Sequence, residues 1–217
     1  SMKKRAAIAA LATMLAPAAW ATNGYFAHGY GMKAKGMAGV GIALPQDALA
    51  AATNPAGMAM VGDRLDFGVD WFIPKRDAEI VGNMGGLNGS YDGNGDKSFL
   101  APEFGYNKML GWNMAVGISV YGNGGMNTRY NSSPFAAGGL GFFGGQNPGG
   151  VNLEQLFIAP TFAMKINKDH SLGASIVLAH QRFGATGLQA FSGFSMSPGD
   201  VTNRGNDTTT GRGVRPG

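Results

Sequence analysis

The carboxylates Asp66, Asp70 and Glu103 and the histidines His28, His170 and His180 are the side chains in this 217-residue chain best suited to acid–base or metal chemistry. Nucleophilic hydrolysis needs a serine or cysteine within reach of a base that a third group orients, and glycoside-type hydrolysis needs paired carboxylates. Neither grouping is recognisable, because the three acids have no partner histidine. The histidines are scattered without metal-ligand spacing. The chain has no cysteine, which removes thiolate metal sites and any disulfide framework. The expectation is therefore no metal, no cofactor and no enzyme. Gly29-Tyr30-Gly31 and Gly39-Val40-Gly41 are fragments of a dinucleotide fingerprint, but no preceding buried strand accompanies them. Asn131-Ser132-Ser133 fits the glycosylation acceptor pattern, a short match that decides nothing alone.

The elements that would position these groups begin with a leader. Lys3, Lys4 and Arg5 precede an apolar run from Ala6 to Ala18, and Ala19-Trp20-Ala21 supplies a small-x-small cleavage site. Residues 1–21 read as a signal peptide, since the apolar run is shorter than the roughly 20 residues a spanning helix needs. The leader supplies three of the net four positive charges, so nothing favours a nucleic-acid partner. Glycine contributes 37 residues, which disfavours long helices, while 44% apolar and 14% charged residues disfavour disorder.

Side-chain alternation supports strands. Leu65, Phe67, Val69, Trp71 and Ile73 share one face opposite Asp66, Gly68 and Asp70. Similar runs follow over residues 100–107, 112–121, 156–166 and 172–179. Each is close to the roughly 9–11 residues of a tilted membrane strand. The connections at 108–111 and 167–171 are short, whereas those at 75–98 and 122–154 are long. Short turns at one end and long loops at the other mark outer-membrane barrels. The aromatics Trp71, Phe72, Phe99, Tyr106, Trp112 and Tyr121 lie near strand ends, as interfacial girdles require. Five strands cannot close a barrel, since the smallest have about 8. The Gly/Asn/Thr-rich residues after Gly184 read as a third long loop, so the sequence is expected to be an N-terminal portion of a longer barrel.

Between leader and first strand lie Asn23-Gly24-Tyr25-Phe26, a Gly/Ala-rich run through Gly36-Met37-Ala38-Gly39 to Asp47, and Asn54-Pro55-Ala56-Gly57. Together with the strand at Leu65, these resemble the FadL/TodX family of outer-membrane transporters. The resemblance implies an all-β transmembrane antiparallel barrel of fourteen strands, about five of them here. It also implies a small, partly helical hatch over residues 22–62 in the lumen, leaving 63–217 as barrel wall. Locally, Asp47 suits a cap for a helix through residues 48–53, and Asn54-Pro55 suits its stop.

The implied function is passive uptake of hydrophobic small molecules, such as long-chain fatty acids or hydrocarbons, across a bacterial outer membrane. Asn54, Pro55 and Ala56 are the hatch or gating candidates; ending a helix is their plainer role. Tyr25, Phe26, Phe157 and Val177 are ligand-contact candidates. Met126, Tyr130, Phe135, Phe142 and Phe143 are candidates for an external capture surface, or for simple loop packing. Expected partners are a hydrophobic ligand and outer-membrane lipid or lipopolysaccharide, with a monomeric barrel and no nucleic acid. An outer-membrane enzyme of lipase type and a structural or adhesive barrel are the alternatives.

Overall fold

A computed structural model describes residues 24–132 and 148–217. Its main element is an antiparallel wall of six strands: β1 (Arg64–Phe72), β4 (Phe99–Leu110), β5 (Met114–Tyr130), β6 (Gly149–Lys165), β7 (Ser171–Thr186) and β8 (Asp207–Pro216). Each strand pairs with the next in that order, an up-and-down arrangement that forms part of a barrel and does not close on itself. Between β1 and β4, the short strands β2 (Asp77–Ile80) and β3 (Gly89–Asp92) form a separate hairpin.

The two faces of the wall differ as the alternation requires. Leu65, Phe67, Val69 and Trp71 on β1, Leu100 and Tyr106 on β4, Phe162 on β6, and Leu172, Ile176 and Leu178 on β7 are all exposed. So continuous an apolar surface is stable only against hydrocarbon. Among the described residues no helix is long and apolar enough to cross a membrane. The opposite, inner face carries Asp66, Gly68, Asp70, Glu103, Gly105, Asn107, Ala115, Ser119, Thr161, Ala163 and Ser175, most of them half-buried or buried.

Turns of residues 111–113 and 166–170 join the strands at one end; Gly111, with φ of 80°, makes the tighter reversal. Trp112 stands exposed there, while Trp71 marks the other end of β1, so both interfaces have an aromatic. The far end of the wall is where β1 and β4, β5 and β6, and β7 and β8 are separated by long stretches of chain, of which 73–98 and 187–206 are described.

The wall has one strand more than the five expected. Residues 207–216 are strand β8, paired with β7 from Ala174↔Pro216 to Phe183↔Asp207. Its Thr-Gly alternation satisfies strand geometry without an apolar face, so loop-like composition hid it. Strand β7 also continues through Gly184 to Thr186, so the third loop starts later than expected. Tyr121 is fully buried on the inner face and belongs to no interfacial girdle.

The N-terminal segment of residues 24–62 lies across the inner face. It contains a five-residue helix, α1 (Met32–Gly36), and 3-10 turns at Ala50–Ala52 and Pro55–Ala59. Its core is mostly alanine with two larger side chains, Met58 and Leu49: Ala50, Ala51, Met58 and Ala59 pack on Ala163 of β6, and Leu49 and Ala52 pack on Tyr121 and Ala159.

Candidate functional site

The interface between the N-terminal segment and the inner wall gathers the buried polar groups. Asp47 accepts from the Leu49 N–H at 3.0 Å through its side chain and from the Ala50 N–H at 3.1 Å through its carbonyl. The expected helix over 48–53 is a single 3-10 turn, Ala50–Ala52, with Leu49 at its N-cap and no side-chain cap, so Asp47 ties the chain just ahead of the turn instead of capping it. Burial pushes the Asp47 carboxyl above its ordinary value, against the opposing pull of the Leu49 N–H. Asn54 does more than end that turn. Its Oδ1 accepts from the Ala56 N–H at 3.1 Å, capping the next turn with Pro55 in the first position, and its Nδ2 donates to the Ile42 carbonyl at 2.8 Å. Asn54-Pro55-Ala56 therefore opens a second turn and ties it back to the preceding chain.

Wall side chains hold the segment at several points. Lys35 of α1 bridges Asp70 on β1 at 3.1 Å and Glu103 on β4 at 2.5 Å. The Glu103 side chain is only 1% exposed, and its Oε2 has no hydrogen-bond partner among the described residues. Arg64 forms a two-point pair with Asp66 at 2.6 and 2.7 Å, while Asp66 also accepts from the Ala48 N–H at 2.9 Å. Ser119 donates to the Ala48 carbonyl at 2.7 Å, and Asn107 donates to the Met58 and Gly62 carbonyls, both at 2.9 Å. Arg215 of β8 reaches the Ala51 and Ala52 carbonyls at 3.3 and 2.5 Å and the Tyr121 hydroxyl at 2.9 Å.

Glycine on the wall makes this approach feasible. A Cβ on Gly105 would lie 2.7 Å from the Ala48 carbonyl carbon, and one on Gly173 would lie 2.5 Å from the Pro55 carbonyl carbon. Both contacts are with backbone, which cannot rotate away.

The segment also runs from one end of the wall to the other. Phe26 bridges Gly124 toward the long-loop end, where the Gly125 N–H donates to the Tyr25 carbonyl at 2.9 Å. Asn54-Pro55-Ala56 rests on Gly173, close to the short turn between β6 and β7. Along the way Tyr30 packs on Tyr121 with ring centres 4.7 Å apart, and Phe157 meets Tyr121 edge-on at 5.8 Å. Tyr30 donates to Asn123 Oδ1 at 2.9 Å, and burial holds its phenol above the ordinary value.

Of the ligand-contact candidates, Phe157 joins this aromatic cluster, whereas Val177 is buried elsewhere on the inner face of β7. Tyr25 and Phe26 stack on each other at 4.5 Å and remain half-exposed at the β5 edge. Met126 is exposed on the upper part of β5, and Tyr130 at its end covers Gly93. Phe135, Phe142 and Phe143 lie outside the described residues. Lys35, Tyr121 and Arg215 were missed in the sequence because their partners are distant along the chain. Among the described residues no group of three or more His, Asp or Glu side chains could hold a metal.

The wall also has an interrupted seam. Strands β4 and β5 pair only from Leu110↔Met114 to Phe104↔Val120, although β4 continues to Phe99 along β1 and β5 continues to Tyr130 along β6. The β5 register shifts at Gly122/Gly124, where the seam has ended.

Known proteins agree with this architecture. The model of the family described as outer membrane protein transport protein (OMPP1/FadL/TodX) matches residues 8–211. Among solved structures, the chain is similar to a FadL homologue of Pseudomonas aeruginosa, with a TM-score of 0.51 and 17% identity over 88% of this chain and 47% of that one. At that identity the likeness is one of fold. The chain spans about half the length of that relative. No curated protein matches it.

Proposed function

The chain belongs to the OMPP1/FadL/TodX family, whose members sit in the bacterial outer membrane, and from that premise we propose that the whole protein admits hydrophobic small molecules by passive uptake. Residues 1–21 are the export signal, 22–62 the hatch, and 63–217 the part of the wall that the hatch packs against. The observation that carries this reading is the course of the N-terminal segment. It crosses the inner face from Tyr25 and Phe26 at the long-loop end to Asn54-Pro55-Ala56 near the short turns, held mainly by polar contacts over small wall residues.

Such an interface is separable. Its buried apolar groups are mostly alanine, so moving the segment exposes little apolar surface, while its hydrogen bonds can be replaced by water in an opened lumen. Met126, Tyr130, Phe135, Phe142 and Phe143 supply the outer capture surface. Tyr25 and Phe26 meet the cargo next, and Phe157 and Val177 lie along the inner wall. The interrupted β4–β5 seam supplies a sideways exit, because backbone groups beyond Phe104↔Val120 are free of a mutual ladder there. Long-chain fatty acids and hydrocarbons are the cargo this path suits.

Reconstituting the whole protein in liposomes and following a fluorescent fatty acid tests the reading. Saturable uptake that changes when residues 24–62 are deleted supports it. Uptake no faster than in empty liposomes, with and without those residues, rejects it.

A further inference from the structure

The outer face of β6, β7 and β8 departs from the apolar pattern of the rest of the wall. Along β7, exposed Leu172, Ile176 and Leu178 give way to exposed His180 and Arg182 toward the long loops. Along β8 exposed Val214 gives way to Arg212, Thr210 and Thr208. Register places Arg212 beside Leu178 and Thr210 beside His180, so these polar groups form one patch at the edge of the apolar band. The long-loop end of such a wall faces the outer leaflet. The patch therefore stands at the level where lipid head groups meet the wall.

A groove of about 440 Å³ opens at the same place. Leu156, Ile158 and Leu178 form its apolar part, and His180, Thr210 and Arg212 its polar rim. Arg182 is engaged by Glu154 at 3.4 Å. Arg212 and His180 have no ion pair or side-chain hydrogen bond among the described residues. A guanidinium with no partner among the described residues, beside leucine and isoleucine at a membrane boundary, suits a ligand with an anionic head and an apolar tail.

We infer that this outer groove binds a phosphorylated lipid of the outer leaflet, with acyl chain along Leu156, Ile158 and Leu178 and phosphate at Arg212 and His180. The arginine donates two parallel N–H groups to phosphate oxygens, and the imidazole and Thr210 hydroxyl donate beside it. The site rests on the outer face meeting lipid and is independent of what passes the inner face. Inorganic phosphate shares the head-group chemistry but would leave the apolar part of the groove unused.

The test uses the whole protein purified in detergent, with bound lipid counted by native mass spectrometry. Its ligands are bis-phosphorylated lipid A, the same lipid stripped of both phosphates, and inorganic phosphate. The phosphorylated lipid is expected to bind more tightly than the stripped one. Arg212→Gln should weaken it about fivefold, the worth of one cation near an anionic membrane surface. Arg212→Lys keeps the charge but loses the two-point contact and should bind between wild type and Arg212→Gln, and Leu178→Ala should weaken both lipids. Equal affinity for the two lipids, unchanged binding by an Arg212→Gln/His180→Ala double variant, or displacement of lipid by inorganic phosphate would each overturn the site. Fatty-acid uptake by Arg212→Gln at the wild-type rate separates the two proposals: lost lipid binding with intact uptake supports the groove and leaves the conduit standing. Wild-type protein that binds the lipid but takes up no fatty acid would sink the conduit alone.

Discussion

Replacing Gly173 with alanine adds one methyl group where the wall meets the N-terminal segment. That Cβ would sit 2.5 Å from the Pro55 carbonyl carbon, about an ångström inside ordinary contact, and both partners are backbone. Overpacking of this kind costs about 1–3 kcal/mol. The docked population of the segment should therefore fall by a factor of about 5 to 150. The wall should survive, because alanine is compatible with a strand and the outer face of β7 is untouched. Gly213→Ala is the matched control: it faces inward on the neighbouring strand, and an added Cβ there would meet nothing within 4 Å. Hydrogen exchange at the amides of Asn54, Gly57 and Met60, which donate within the two 3-10 turns, reports local docking. Gly173→Ala should exchange faster at these sites by the stated factor, and Gly213→Ala should match wild type. Identical protection in all three proteins would refute the close approach of segment and wall.

Other perturbations act on the same interface. Lys35→Met strands the buried Glu103 carboxylate and should weaken docking by about 2–3 kcal/mol, near the low end for buried pairs because Lys35 is partly exposed; adding Glu103→Gln should recover part of the loss in the exchange assay. Asn54→Ala removes a cap worth about 1 kcal/mol together with the bond to Ile42, so its exchange should be faster than that of Asn54→Asp, which keeps the cap. Asp47 holds its proton more tightly when docked than when free, so its contribution to docking grows as pH falls from its raised value and is lost as pH rises through it. Asp66, Arg64 and Lys33 face it, so the measured quantity is the difference in pH dependence between wild type and Asp47→Asn. That difference should show wild type losing protection relative to the variant as pH rises, and a flat difference would contradict the account.

Much of the wall was legible from alternation alone. Leu65 to Trp71 and Leu172 to Leu178 announce their outward face because hydrocarbon demands an unbroken apolar row, and the short turns announce their end. Strand β8 was not legible, since Thr208, Thr210 and Arg212 present no apolar row and a strand paired in a ladder does not need one. The glycines of the inner face read as small residues, but the need for them at 105 and 173 comes from Ala48 and Pro55, far away in sequence. Likewise Asp70 and Glu103 read as inner charges, while Lys35, their counter-charge, sits in a Gly/Ala-rich stretch with no periodicity to place it. Asn54 was legible as a turn residue; that it caps the following turn depends on a backbone geometry that composition does not fix.

The central claim is that the N-terminal segment must leave the inner wall for a hydrophobic molecule to pass. The chain contains no cysteine, so a thiol pair can be added without competing bridges. Ala48→Cys with Ser119→Cys puts one thiol on the segment and one on the wall, at neighbouring residues whose present contact is the Ser119 hydroxyl donating to the Ala48 carbonyl at 2.7 Å. Fatty-acid uptake by the whole protein in liposomes, measured oxidised and then reduced, is the most direct test. The account predicts that oxidation abolishes protein-dependent uptake and that reduction restores it; uptake at the same rate with the bridge closed would contradict it.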